Sequence, residues 1–134
     1  MSVGVLLLTH EAMGESLIAT ARHILGRVAL KLDALAIPPG SDFDAALAET
    51  AARVRALDAG DGVLVLTDVY GATPSNVAER LQGLGLDVHR VSGLSLPMLL
   101  RVLNYPEQPL LELANTAANG GRTGVVIEIG RAHV

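Results

Sequence analysis

Two short segments carry residue types that can act on one reaction together. They are Thr9-His10 and Thr67-Asp68, each closing a run of aliphatic residues. An imidazole can serve as nucleophile, general base or metal ligand. A carboxylate beside it fixes the tautomer, stabilises the imidazolium and leaves the other ring nitrogen free to react. The loop after Asp68 reads Val69-Tyr70-Gly71-Ala72-Thr73-Pro74-Ser75-Asn76 and has the chemistry of an anion site. Gly71 allows close approach or a positive φ. Thr73 is expected to cap a helix with Pro74 at its first position, and a helix start offers unpaired N–H groups and the positive end of a dipole. A second helix start is expected around Gly14. Taken singly, each residue has an ordinary structural use; their joint placement at the ends of two strands is what points to a site.

The surrounding pattern says how these residues are brought together. Apolar runs alternate with helical periodicity along the whole chain. Strands are expected at 3–8, 31–37, 62–67 and 86–91, with a short last strand at 124–129. Helices are expected at 15–25, closed by Gly26, and at 41–57, capped by Ser41 or Asp42. Further helices are expected at 73–83, 96–103 and 107–118. Strands apolar at nearly every position, alternating with helices, describe a doubly wound, mostly parallel α/β sheet covered on both faces. In such a sheet the carboxyl ends of neighbouring strands share one edge, where ligands collect. If strands one and three are neighbours, His10 and Asp68 meet there.

Composition narrows the function classes. The chain has 134 residues, half of them apolar, which fits a single domain over 1–134. Phe43, Tyr70 and Tyr105 are its only aromatics. The net charge is −4, with no basic tract, which argues against a nucleic-acid partner. There is no cysteine, so disulfides, thiolate catalysis and thiolate metal sites are excluded. His23, His89 and His133 are scattered without ligand spacing, and no metal is expected. The first apolar run is too short for a signal peptide or a membrane span, and a cytoplasmic location is expected.

Three segments resemble one family. Residues 5–14 centre on Thr9-His10. Residues 63–76 read VLVLTDVYGATPSN, and residues 91–103 read VSGLSLPMLLRVL. In this order, and over nearly the whole chain, they resemble the IIA domain of the mannose family of the bacterial phosphoenolpyruvate-dependent phosphotransferase system (PTS). The resemblance implies a phosphotransferase with a phosphohistidine intermediate and no cofactor. His10 would accept a phosphoryl group from the phosphocarrier protein HPr and pass it to a IIB partner, in sugar uptake or in a regulatory chain. Asp68 matches the carboxylate beside the active histidine. Thr9, Gly71 and Thr73 would meet the phosphoryl group, and Met13, Leu94, Leu96 and Met98 would form the docking surface. The resemblance further implies a homodimer in which the last strand can cross between subunits; Asn119-Gly120-Gly121-Arg122 is the expected hinge. Membrane contact would be indirect, through a IIC/IID complex, and no fused IIB domain is expected.

The chain departs from the family pattern at Ala72, where a second Gly is common, at Tyr70, where Trp is frequent, and at Ser75, where a bulky residue is frequent. Two alternatives remain open. One is the phosphotransfer subunit of a phosphoenolpyruvate-dependent dihydroxyacetone kinase, whose second motif is typically richer in Met, Gly and Ser. The other is a non-catalytic regulator that binds an anion or a protein at the same edge.

Overall fold

A computed structural model describes residues 2–129. Four of the apolar runs form parallel strands: β1 (Gly4–His10), β2 (Leu32–Ile37), β3 (Val63–Thr67) and β4 (Val88–Ser92). Their order across the sheet is β2-β1-β3-β4. The chain therefore winds outward from β1 to β2, crosses back to β3, and continues outward on the other side. The crevice at such a reversal opens at the carboxyl ends of the two central strands. Here those ends carry His10 and Asp68.

Alternation explains why the central strands are apolar throughout. Val5, Leu7, Leu64 and Leu66 face a core built with α1 (Met13–Leu25), α4 (Leu96–Leu103) and α5 (Leu110–Thr123). Leu6, Leu8, Val63 and Val65 face a second core under α2 (Phe43–Leu57) and α3 (Thr73–Arg80). With both faces covered, no strand position between Val5 and Leu8 is left for a polar side chain. With almost no aromatics available, these cores are filled by Leu, Val and Ala.

The helix starts refine the expected boundaries. Asp42 is the cap of α2, its carboxylate accepting from the Ala45 N–H at 2.9 Å. Thr73 is not a cap: Ala72 holds that position, Thr73 is the first helical residue and Pro74 follows. α3 ends at Arg80, and one turn of 3-10 helix (Leu81–Leu84) completes the segment.

Within the single chain, the expected hinge and last strand are both corrected. The expected hinge at 119–122 is helical, because α5 runs on to Thr123. Its glycines serve close packing instead: a Cβ on Gly120 would lie 2.5 Å from Arg101 Cβ, on the neighbouring α4. Residues 124–129 form no strand in this chain's sheet. Val125, Val126, Ile127 and Ile129 stand exposed after the helix, with Ile127 at 88%. A strand needs an edge to pair with, and α5 ends without returning this segment to one.

Candidate functional site

β1 and β3 are hydrogen-bonded neighbours, in register from Gly4↔Val63 to Leu8↔Thr67. Two residues beyond Leu8 and one beyond Thr67, the expected pair meets. His10 Nδ1 lies 2.7 Å from Asp68 Oδ2. The same oxygen accepts the His10 backbone N–H at 3.0 Å, and Oδ1 accepts the Val69 N–H at 3.1 Å. Both carboxylate oxygens are thus engaged, and the Asp68 side chain is only 4% exposed. Burial pushes its pKa up, but the His10 amide, the His10 ring and the ring's charge outweigh burial and hold the carboxyl below its ordinary value. The His10 side chain is 45% exposed. With Nδ1 turned to the carboxylate, Nε2 is the nitrogen left for chemistry.

The turn after β1 is tightly specified. Glu11 has φ +47°, the only non-glycine residue with positive φ among those described. Such a conformation costs roughly 1–2 kcal/mol for a residue with a Cβ. Thr9 sits beneath it, 1% exposed. Its hydroxyl donates to the Glu11 carbonyl at 3.3 Å and accepts from the Gly14 N–H at 3.2 Å. This corrects the placement of Thr9 among phosphoryl-contacting groups: its hydroxyl is used up inside the protein. Gly14 reaches it because it presses on the sheet, where a Cβ would come within 3.1 Å of both Leu7 and Ala34.

The loop after Asp68 delivers the start of α3 to the same edge. Gly71 has φ +87°, and a Cβ there would touch nothing within 4 Å. Its backbone conformation, not a close approach, is what calls for glycine. Thr73 is exposed at the first turn of α3, and its hydroxyl is not spent on capping. The early N–H groups of a helix lack intrahelical acceptors. Ser95 caps the neighbouring α4, accepting from the Met98 N–H at 3.3 Å.

Not all of the residues expected to dock a partner are exposed. Met98 is buried in the core between α4, α5 and the sheet, and Leu96 packs partly buried against it. Hydrophobic periodicity marks both as apolar but does not tell core from rim. Met13 is exposed and lines a hollow of about 470 Å³ with Ala12, Ser16, Leu17, Leu94 and Ser95. Leu94 contributes to its wall although it is itself largely buried. Two exposed residues lie beyond the expected set: Val69 and Tyr70, directly after Asp68, Tyr70 at 81%. The signal was present in the sequence, since one of only three aromatics falls in a loop flanked by Val69 and Gly71. His23 is exposed on α1, and His89 is half-buried on β4. His133 lies outside the described residues.

The family model described as PTS system fructose IIA component matches residues 4–117. The mannose-specific EIIAB component of the PTS from Escherichia coli K12 is 28% identical over 127 residues, covering 93% of this chain. The chain spans 39% of the length of that relative. Among solved structures, the mannose/sorbose-specific IIA subunit from Enterococcus faecalis superposes with a TM-score of 0.85 at 28% identity, covering 98% of each chain. The PTS IIA protein associated with the fucose utilization operon of Streptococcus pneumoniae gives 0.77 at 25% identity, covering 95% of this chain and 96% of that one. No helix among the described residues is long and apolar enough to cross a membrane. Fold, residue order and the matched family model agree: this chain belongs to the mannose-type IIA (EIIA-man) family of the phosphotransferase system.

Proposed function

We propose that the protein is a phosphohistidine carrier that takes a phosphoryl group from phosphorylated HPr on His10 and passes it to a IIB partner. The observation that carries this reading is the His10–Asp68 pair: Nδ1 held at 2.7 Å by a buried carboxylate, on a ring 45% exposed. The Nε2 lone pair attacks phosphorus, and the bond to the donor nitrogen breaks with its electron pair returning to the donor. The proton stays on Nδ1. The phosphorylated ring is then cationic, and Asp68 balances that charge from the side away from the phosphate. The amides at the start of α3 and the Thr73 hydroxyl meet the phosphoryl oxygens, and Gly71 sets the loop that presents them. Phosphoryl transfer asks for little beyond such positioning and charge stabilisation. The return step reverses it, with IIB as acceptor.

Partner docking is assigned to the exposed Val69 and Tyr70 after Asp68 and to Met13 with the hollow that it lines. Methionine and tyrosine suit a surface that receives two partners in turn. The same carrier step serves sugar uptake, where membrane contact comes through a IIC/IID complex, and a regulatory chain. Both place the protein in the cytoplasm.

The test is incubation with phosphoenolpyruvate, enzyme I and HPr. Intact mass is expected to show one added phosphoryl group per chain, lost in acid and kept in base, as a phosphoramidate requires. No mass gain in the presence of phosphorylated HPr would refute the carrier role.

We further infer a homodimer. Val125, Val126, Ile127 and Ile129 form an exposed apolar segment, and β4 is an edge strand. Exposed edges and exposed apolar segments both invite pairing with a second copy. Sedimentation at micromolar concentration is expected to give twice the chain mass, and removal of residues 125–134 is expected to give monomers. A monomer of the untruncated 134-residue chain, or a truncated chain that still dimerises, would defeat the inference.

A further inference from the structure

The geometry points to Thr9 as a positioning residue for phosphoryl transfer: its buried hydroxyl holds the strained turn that carries the His10 ring against Asp68. This inference rests on the phosphohistidine reading for its kinetic consequence, but its structural claim stands on separate contacts.

His10 is held from two sides. Asp68 grips its ring nitrogen and its backbone N–H. Nothing in that grip fixes the chain that follows. There the backbone enters the left-handed region at Glu11 and reaches α1 two residues later. The cap residue of α1 is Ala12, which offers no side-chain acceptor. One hydroxyl supplies what both features lack. As donor, Thr9 holds the carbonyl of the left-handed Glu11; as acceptor, it takes the Gly14 N–H in the first turn of α1. Both ends of the turn are thereby tied to a residue in the sheet, adjacent to His10. Thr9 pairs with Ala36 of β2 and is almost fully buried, so its side chain cannot swing out to another task.

Removing the hydroxyl leaves the Glu11 carbonyl and the Gly14 amide without this partner. The turn then relaxes toward a right-handed conformation, and the His10 Cα moves with it. The ring loses its alignment with Asp68 and with an incoming phosphoryl group. In-line attack is sensitive to displacements of an ångström or less, with rate losses of up to about 100-fold. Partner docking is assigned to other residues, so partner affinity is expected to change little.

The experiment compares wild type, Thr9→Val and Thr9→Ser. Valine keeps shape and burial and removes the hydroxyl; serine keeps the hydroxyl. Transfer from phosphorylated HPr is expected to fall about 10- to 100-fold in kcat for Thr9→Val, with KM for phosphorylated HPr within about twofold of wild type. Thr9→Ser is expected to recover most of the rate. The ring is read directly by nitrogen-15 NMR of His10. The Nδ1–H signal hydrogen-bonded to Asp68 is expected in wild type and Thr9→Ser, and shifted or broadened in Thr9→Val. An unchanged His10 ring spectrum in folded Thr9→Val overturns the inference, as does a loss that appears only in KM. If wild type takes no phosphoryl group while the ring signal still responds to Thr9→Val, the carrier reading fails and the positioning role stands. If Thr9→Val does not fold, the ring and rate of Thr9→Ala decide in the same way.

Discussion

His10→Ala is expected to abolish phosphorylation by phosphorylated HPr. The expectation is total loss because no other described side chain has the same setting. His23 is exposed on α1 and His89 lies on β4; neither is paired with a carboxylate among the described residues. An unpartnered imidazole lacks the balancing charge for a phosphorylated, cationic ring. The measurement is transfer of radiolabel from phosphorylated HPr to wild type, His10→Ala and His23→Ala. Label is expected on wild type and His23→Ala only. Undiminished label on His10→Ala would sink the assignment. The fold is expected to survive, since the His10 ring is the half-exposed end of β1 and fills no core.

Asp68→Asn is expected to slow transfer by about 10- to 100-fold in both directions, as is usual when the partner that orients a reactive imidazole is altered. Hydrolytic triads lose about 10⁴-fold on the same change. There the histidine must remove a proton from the nucleophile, whereas here the ring is itself the nucleophile. The substitution also carries a structural cost. Oδ2 accepts two hydrogen bonds from His10, while Oδ1 accepts the Val69 N–H. An amide has one oxygen, so its NH₂ group must face either Val69 or His10 as donor against donor. One unmet buried group costs about 1–3 kcal/mol, and urea unfolding is expected to register it. The pH dependence separates charge from shape. The Asp68 pKa is held below its ordinary 3.8, so the stability it contributes is present above that value and is lost as pH falls through the lowered pKa. Asp68→Asn is expected to lack that acidic loss. Wild-type rates in both directions would refute the pairing.

Much of this molecule is legible along the chain. Four strands, five helices and the parallel class follow from apolar runs that alternate with helical periodicity, a local property of sequence. The His10 and Asp68 positions at two strand ends follow equally, as does the family, whose motifs are contiguous stretches. Other features depend on what lies across space. That β1 and β3 are neighbours is a fact of strand order, and only pairing turns His10 and Asp68 into a couple 2.7 Å apart. Thr9 reads as a polar residue beside His10, yet the turn folds back over its hydroxyl and buries it. Met98 reads as a docking residue, yet α5 packs onto α4 and covers it. Gly120 and Gly121 read as a hinge, because composition cannot distinguish a glycine that frees the backbone from one that lets two helices touch. The segment 124–129 has a strand's composition but pairs with no strand of its own chain's sheet, since a strand exists only where another edge accepts its hydrogen bonds. Local pattern thus determined the elements and the residue types at their ends. Tertiary contact alone decided which of those residues face the crevice, which hold it in shape, and which are buried behind it.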